Sequence, residues 1–581
     1  MDVFALFSGR VSAALRSLYP DVSDDVLARL VVEPPRDLSH GDLSSNAAMV
    51  AAKPLGKNPR EIAAALALAF NDDADVVSVE VAGPGFLNFR LAGPIWFAVL
   101  RAIWAQGADF GRTDIGKGER VNVEYVSANP TGPMHVGHTR GAVFGDTLAA
   151  LMAYSGYDVT REYYINDAGS QIDTLARSTL LRYREALGER IEIPPGLYPG
   201  DYLVPVGEAL KAEFGESLLS RPEAEVIPLV KDRVLAAMLE LIKSDLGKLN
   251  IHHDVFFSER TLHGQGREIE STLGWLREQG MVYQGRLEPP KGKTPEDWED
   301  REQTLFRATD YGDDVDRPLV KSDGSYTYFA ADIAYHRDKY LRGYTHMINV
   351  LGADHSGYVS RLKAAVKAVS HGEADMDVKI CQLVRLMKNG EPFKMSKRSG
   401  DLVTLADVVE EVGVDAVRFM LTYRRNDAAM DFDFALVKEQ TRDNPVFYVQ
   451  YAHARVCSIF RNAEKEMPGL DVSDAALRGA EIELLDSAAE AELIRVLAQW
   501  PRTVTQAALA HEPHRVAFYL YEVAAAFHGF WAKGKEDIGL RFINTDHPKL
   551  TLARLALVGA VRQVLVNGLG ILGVSAPAEL S

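Results

Sequence analysis

Val121-Asn-Val-Glu-Tyr-Val126 runs into Ser127-Ala-Asn-Pro-Thr-Gly-Pro-Met134 and then into His135-Val-Gly-His138, and the reading of this stretch decides the fold. Valines at 121, 123 and 126 beside Tyr125 suit a buried strand, while Pro130 and Pro133 forbid its continuation. From His138 onward Phe144, Leu148, Leu151 and Met152 keep the i, i+4, i+7, i+8 spacing of one helical face. The order is strand, Pro/Gly loop, helix start. Two histidines therefore stand at a helix N-terminus, where free backbone N–H groups and the dipole favour phosphate. At i and i+3 they share a face, and Gly137 between them lets a ligand approach the backbone.

Between 121 and about 375, further strands are predicted at Asp158–Ile165, Val255–Phe257, Tyr326–Ala330 and His346–Leu351, with helical stretches between them. That alternation predicts a parallel, doubly wound, Rossmann-like α/β domain over 111–375, whose ligands sit at the carboxyl ends of the strands. The charged, Pro-bearing run 288–302 is most simply a solvated surface insertion. Residues 1–110 read as a small α+β domain. It has a helix carrying Val3, Leu6, Phe7, Val11 and Leu15, a polar loop with His40-Gly41-Asp42, an Ala-rich helix from Arg60 to Phe70, and strands at Val76–Val81 and Gly85–Leu91. The boundary falls at Phe110–Gly118. There Gly111…Gly116-Lys117 misses the phosphate-cradling GxxxxGK[ST] loop, because Gly118 replaces the hydroxyl and a strand follows. Past 375 a β-bearing connector, 376–440, carries the exposed loop Phe393-Lys-Met-Ser-Lys-Arg-Ser-Gly400. After Leu402 the chain reads as helical throughout, with amphipathic segments at Asn444–Glu466, Ala480–Trp500, Glu512–Trp531 and Leu550–Leu569, so 441–581 is an all-α domain.

At 581 residues the chain exceeds one core and divides into three or four domains. Cys381 and Cys457 are too few for a disulfide framework or a cysteine zinc site, which fits a reducing, cytoplasmic setting and leaves no structural zinc expected. The amphipathic start, Met1 to Tyr19, lacks the uninterrupted apolar core of a signal peptide. Leu552 to Val574 is apolar enough to raise the question of a membrane span, but Arg554, Arg562, Gln563 and Asn567 mark it as a packed helix. A formal charge of −17 argues against a protein that coats nucleic acid indiscriminately, and leaves room for a specific RNA held by local basic and aromatic patches.

Lys394-Met395-Ser396-Lys397 is the second piece of chemistry, more than 250 residues beyond the histidines. Two ammonium groups flanking a serine on a Gly-bounded loop can swing onto a polyphosphate as mobile point charges. HVGH and KMSK, in this order around a doubly wound domain, resemble the two signatures of class I aminoacyl-tRNA synthetases, which activate an amino acid with ATP as an adenylate and transfer it to tRNA. The resemblance is closer to the arginyl-tRNA synthetase family, which has a long first signature much like Val123 to His138. Gly83–Phe89, Glu162–Gly169, Ser325–His336, Leu351–His355 and Tyr448–Arg455 are also similar to that family, so the likeness spans most of the chain.

That resemblance implies ATP, with Mg2+, held by His135, Gly137, His138, Lys394, Ser396 and Lys397, with Asp354 and His355 beside them. These groups would stabilise charge on the α-phosphate as the amino-acid carboxylate attacks, and no protein nucleophile is needed. A guanidinium is a planar fork of donors, best recognised by carboxylates and aromatic faces. The family's arginine-binding positions correspond here to Glu124, Tyr328 and Asp332, with Asn129 on the amino-acid moiety and His135 shared with the nucleotide. Such a site discriminates by binding alone, so no editing domain is expected. Many similar arginyl enzymes have a degenerate second signature and a lysine in the Pro-rich loop, whereas this chain has an intact Lys394-Met-Ser-Lys397 and Gly132. The N-terminal domain is implied to touch the tRNA elbow through Phe86 and Asn88, and the helical domain to bind the anticodon through Tyr448, Tyr451 and Arg455, aromatic and guanidinium planes that suit unstacked bases.

The partners expected are arginine, ATP and tRNA(Arg), with no membrane and no DNA, and a monomer is expected. The alternatives are a class I synthetase for another amino acid, an HxGH nucleotidyltransferase, a non-catalytic RNA-binding module and a dinucleotide oxidoreductase. The last is weak, because no GxGxxG opens a helix after a strand.

Overall fold

The computed structural model describes residues 1–264, 268–287, 301–393 and 403–580, and the chain forms two units: Met1–Thr113 with Gln440–Ser581, and Asp114–Glu439. The N-terminal part of the first unit is α+β, as expected. Its sheet has the order β1-β2-β4-β3, from β1 (Val32–Glu33), β2 (Leu43–Ser45), β3 (Val76–Ala82) and β4 (Phe86–Leu91), paired antiparallel. Asp2 caps the first helix, Val3–Leu18, by accepting from Phe4 N and Ala5 N at 2.9 and 3.0 Å. That helix buries Val3, Phe4, Phe7, Val11 and Leu15, while Leu6, counted on its apolar face by spacing, stays 37% exposed. The loop aspartate Asp42 is structural: it accepts from Leu91 N at 2.8 Å and from Arg495 Nε at 2.6 Å.

The other part of this unit is helical. Its main helices are Pro445–Glu466, Ala488–Ala498, Trp500–Ala510, His514–Glu536 and Pro548–Leu572. The helix expected over 480–500 is interrupted twice. Ser487 and Glu490 form a capping box that starts a helix at Ala488, and Trp500-Pro501 starts another. Pro548–Leu572 is long and apolar enough to cross a membrane, but 78% of its most apolar window is buried inside the unit. Its Arg554 donates to Glu490 at 2.7 Å, both side chains buried, which identifies a core helix.

The second unit is built on a five-stranded sheet, order β12-β11-β5-β6-β7. The strands are β5 (Arg120–Glu124), β6 (Asp158–Ile165), β7 (Val255–Ser258), β11 (His346–Gly352) and β12 (Asp375–Cys381), every pair parallel. The doubly wound expectation holds, and β12, which lies past the limit drawn at 375, is its edge strand. Between β7 and β11 lies a small antiparallel sheet of β8 (Val282–Gly285), β9 (Gln303–Phe306) and β10 (Arg317–Pro318). Most of the expected surface insertion, 288–300, lies outside the described residues.

Two expectations are corrected. Tyr326–Ala330 is not a strand: Thr327 accepts from Ala330 N at 3.3 Å and caps a helix, Tyr328–Leu341, leaving Tyr326 a single bridge to Val320. Tyr, Thr and Phe favour strands on average, and here a local cap overrides that preference. The chain is not helical throughout after Leu402 either. The connector sheet of β13 (Val384–Lys388), β14 (Glu391–Pro392) and β15 (Met430–Asp433) places β15 parallel to β13.

Candidate active site

Chain order reverses between β5 and β11, so the crevice at their carboxyl ends is the topological switch point where ligands bind in this architecture. The backbone leaves β5 sharply, through Val126 and Ser127 at φ of 72° and 42°. Left-handed backbone at two consecutive side-chain-bearing residues is strained and persists only where the surroundings over-determine it. Here Ser127 Oγ donates to Glu124 Oε1 at 3.2 Å and accepts from Tyr164 N at 3.0 Å. The Pro/Gly loop is then held by the Tyr163 hydroxyl on Ala128 O at 2.7 Å and the Tyr202 hydroxyl on Thr131 O at 2.8 Å.

The loop delivers His135 as the N-cap of the helix Val136–Tyr154, its Nδ1 accepting from Gly137 N at 3.1 Å. A Cβ on Gly137 would lie 2.8 Å from His135 Cε1, so glycine is what allows this turn and leaves the backbone open. The His135 and His138 rings lie 3.8 Å apart. Burial, with His135 alongside, pushes His138 down to about 4, and burial lowers His135 as well. Both imidazoles are therefore neutral at pH 7, and His138 Nδ1 is buried with no partner among the described residues. Positive potential at this helix start comes from the dipole rather than from imidazolium, the N–H groups of Val136, Gly137 and His138 being taken by Val403 O, His135 Nδ1 and His135 O.

Beside it is an acidic pocket. Glu124 ends β5, in register with Asn349 of β11 and Glu162 of β6. Glu124 is buried, and its Oε2 takes a 2.6 Å hydrogen bond from Lys339 Nζ. Asp332, on the Tyr328–Leu341 helix, is half-buried and has no hydrogen-bond or ion-pair partner for its carboxylate among the described residues. Burial, with the charges of Glu124 and Glu259 nearby, raises it to about 7, against a smaller opposing pull from Arg361. Burial raises Glu259 too, despite His263 Nε2 at 3.4 Å. Burial and the surrounding acids Glu259, Asp332 and Glu124 push the Tyr164 phenol upward, so it stays a neutral donor. A carboxylate cluster short of cations beside a phosphate-friendly helix start can receive a cationic substrate and a nucleotide together.

Sequence reasoning missed Glu259, Tyr164 and Lys339. Lys339 stands seven residues after Asp332 on one helix, a spacing that puts both on the same face and was there to be read. Of the expected residues, Tyr328 is 67% exposed one turn before Asp332, with Lys321 Nζ 5.3 Å from its ring centre. Asn129 is exposed and donates to Gln171 Oε1 at 2.9 Å. Asp354 and His355 are exposed, 3.5 Å apart, on the short helix Ala353–Tyr358 at the carboxyl end of β11, so they reach the same edge of the sheet. Lys394, Ser396 and Lys397 lie outside the described residues. The chain just after them is strapped to the histidine signature: Val136 N donates to Val403 O at 3.1 Å and Leu405 N to Met134 O at 2.8 Å. Arg140, buried on the signature helix, donates to the carbonyls of Gln382, Ala428 and Arg425 of the connector at 2.9, 2.8 and 2.7 Å.

In the first unit Phe86 is 36% exposed at the start of β4, whereas Asn88 is buried between Ser44 and Glu80 of the neighbouring strands. Tyr448, Tyr451 and Arg455 do form one cluster, joined by Tyr521 and His528, which sequence reasoning missed. Tyr448 lies 5.0 Å from Tyr521 and 4.6 Å from His528, and the Arg455 guanidinium lies over Tyr451 at 4.3 Å. Farther along the same helices a cavity of about 330 Å³ is lined by Ile459, Asn462, Trp531 and Phe542. Glu466, Lys535 and Arg541 also line it, and its lining residues belong to the first unit, not to the parallel strands.

Three family models match the chain: the arginyl tRNA synthetase N-terminal domain over residues 6–91, the catalytic domain of class I (R) tRNA synthetases over 100–193 and 297–439, and the DALR anticodon binding domain over 449–580. An arginine–tRNA ligase of Rhizobium etli is 58% identical over 585 residues, covering 100% of both chains. One from Parvibaculum lavamentivorans is 60% identical over 584 residues, again 100% of both. The solved arginyl-tRNA synthetase of Thermus thermophilus has the same fold, with a TM-score of 0.73 at 22% identity over 100% of both chains.

Proposed function

The chain belongs to the arginyl-tRNA synthetases, class I arginine–tRNA ligases, and we propose that it selects arginine at the Glu124–Asp332–Glu259 pocket and handles ATP at the neighbouring histidine signature. The reaction is activation of arginine by ATP to arginyl-adenylate and pyrophosphate, followed by transfer of arginine to tRNA(Arg). The observation that carries the assignment is Asp332, a carboxylate without a cation partner among the described residues, set beside Glu124 and Glu259 at the switch point of the sheet.

In the first step a carboxylate oxygen of arginine attacks the α-phosphorus and pyrophosphate leaves. The residues' work is positioning and charge stabilisation. On this reading the guanidinium lies against Asp332 and Glu259 with Tyr328 at the mouth, and Asn129 and His135 hold the amino-acid end. The helix N-terminus after His135, with His138, Asp354 and His355, faces the nucleotide, and Lys394 and Lys397 supply positive charge to the polyphosphate with the Ser396 hydroxyl between them. ATP enters as its Mg2+ complex, the ion being part of the substrate.

The proposed division of labour gives tRNA elbow contact to 1–110, catalysis to 111–375 with β12 added, the KMSK loop to 376–440 and anticodon contact to 441–581. Exposure of Phe86 and clustering of Tyr448, Tyr451 and Arg455 support it. We further propose a cytoplasmic monomer, without membrane or DNA partners; light scattering of the purified protein tests the monomer. Asp332→Asn tests the pocket. It should raise the arginine KM by about 10- to 100-fold, the loss of a charge-assisted hydrogen bond, while the ATP KM moves less than about threefold. An unchanged arginine KM would remove Asp332 from the site.

A further inference from the structure

Lys339 has no place in the chemistry described above, yet its side chain is 0% exposed beneath the acidic pocket. Its Nζ lies 2.6 Å from Glu124 Oε2 and 3.4 Å from Asn349 Oδ1, with the Tyr335 ring centre 4.5 Å away. A buried ammonium is costly unless it meets an opposite charge in good geometry, so this pairing is a built feature. Glu162, the other carboxylate within its influence, is already held by the Arg342 fork at 2.7 and 2.8 Å, by Asn122 and by the Tyr335 hydroxyl. Among the described residues Glu124 has no such second cation, only the Ser127 hydroxyl at 3.2 Å.

Resting on the reading of Glu124 and Asp332 as the arginine pocket, we propose that Lys339 is a positioning residue for arginine selection. It is a resident cation that occupies Glu124 and fixes its carboxylate, so that the guanidinium is directed to Asp332 and Glu259 and the pocket admits one positive charge, not two. The groups that face the acids fit this division. From β6 comes the Tyr164 phenol, from the turn after β7 Glu259 with His263, and from the helix Val359–Val369 Arg361, whose charge bears on Asp332. On its own helix Lys339 is flanked by Tyr335 and by His336, which burial and the Lys339 charge keep neutral. Among the described residues, Glu124 alone of the pocket acids is paired with a buried cation.

The consequence is a charge count. With Lys339 in place, the Glu124 carboxylate already has its counter-charge, and the guanidinium is left to the Asp332 side of the pocket, where burial raises the carboxyl that must give up a proton. Without Lys339, Glu124 becomes a buried acid near Asp332 and Glu259, takes up a proton, and must also lose it on binding. Removing Glu124 alone leaves the opposite fault, a bare ammonium facing an incoming cation.

The test is the arginine KM from pH 6 to 8.5, at saturating ATP and tRNA(Arg), for wild type, Lys339→Met, Lys339→Arg, Glu124→Gln and the double variant Glu124→Gln/Lys339→Met. Lys339→Met should raise the arginine KM at pH 7 about 10- to 100-fold with the ATP KM within about twofold, and log KM against pH should steepen from one proton towards two. Lys339→Arg should restore the single-proton slope. The double variant should recover at least about tenfold of the KM lost in Glu124→Gln, because it removes the stranded ammonium. A lowered kcat with the pH slope unchanged in Lys339→Met, or a double variant no better than Glu124→Gln, overturns the proposal. If Lys339→Met does not fold, the comparison of Glu124→Gln with the double variant decides alone. Asp332→Asn separates the two levels: if it leaves the arginine KM unchanged, the pocket reading itself fails, and if it raises the KM while the Lys339 tests come out negative, only the role of Lys339 falls.

Discussion

Arginine binding should depend on pH through Asp332. Burial and the neighbouring Glu124 and Glu259 raise this carboxyl from an ordinary 3.8 to about 7 in the ligand-free site. A guanidinium requires it ionised. With a value of about 7, roughly one-tenth of the sites are ready at pH 6 and nine-tenths at pH 8, so the arginine KM should fall about tenfold across that interval and then level off. The guanidinium does not titrate in this range, so the slope belongs to the enzyme. Aminoacylation at saturating ATP and tRNA(Arg), checked by equilibrium dialysis of labelled arginine, measures it. Asp332→Asn should flatten the profile. The sign for stability follows from the same shift. A raised acid contributes stability that is fully present below 3.8 and lost as pH rises through about 7, so the ligand-free enzyme carries an unfavourable ionisation at pH 8. Asp332→Asn should therefore raise the apparent unfolding midpoint at pH 8 by a few degrees while weakening arginine binding. A flat arginine KM between pH 6 and 8 in the wild type would refute the reasoning.

Lys397→Ala should slow pyrophosphate exchange by about 10²-fold or more with little change in arginine binding, because a positive charge on the polyphosphate acts in the transition state; an unchanged rate would end that assignment. Glu162 is held at about 2: burial alone would raise it, but the Arg342 fork, Lys339 and the Tyr335 hydroxyl outweigh that. Its stabilising contribution is present above 4.5 and lost as pH falls through about 2, so Glu162→Gln should cost about 3 kcal/mol in denaturant unfolding at pH 7, with the difference shrinking towards pH 2. Arg140→Met removes three hydrogen bonds from connector carbonyls and should cost several kcal/mol, lowering kcat for activation more than it changes the arginine KM; equal loss of both would show that the link to the connector has no part in catalysis.

The order strand, loop, helix over 120–154 was legible because a buried strand, two prolines and a helical period each leave a local mark, but the strand ends at Glu124, and Val126, read as part of it, already turns at φ 72°. Asp332 was named from a motif, yet its setting was hidden, because Glu259 and Glu124 reach it from other elements. The pairing of Glu124 with Lys339 joins residues 215 apart in sequence, a distance at which no local pattern operates. Tyr326–Ala330 misled because strand-favouring side chains surround a threonine whose hydroxyl starts a helix. The four-residue strand β15 sits among helical periodicities and gains its identity only by pairing with β13. Asn88 lies on the same face of β4 as exposed Phe86, so alternation gives both the same exposure; Phe86 is exposed at the start of the strand while Asn88, flanked by β2 and β3, is buried.

The most direct test of the account is amino-acid-dependent exchange of pyrophosphate into ATP, run over the twenty amino acids with and without tRNA(Arg). Arginine should be the amino acid that supports exchange. Exchange supported by another amino acid and not by arginine would contradict it.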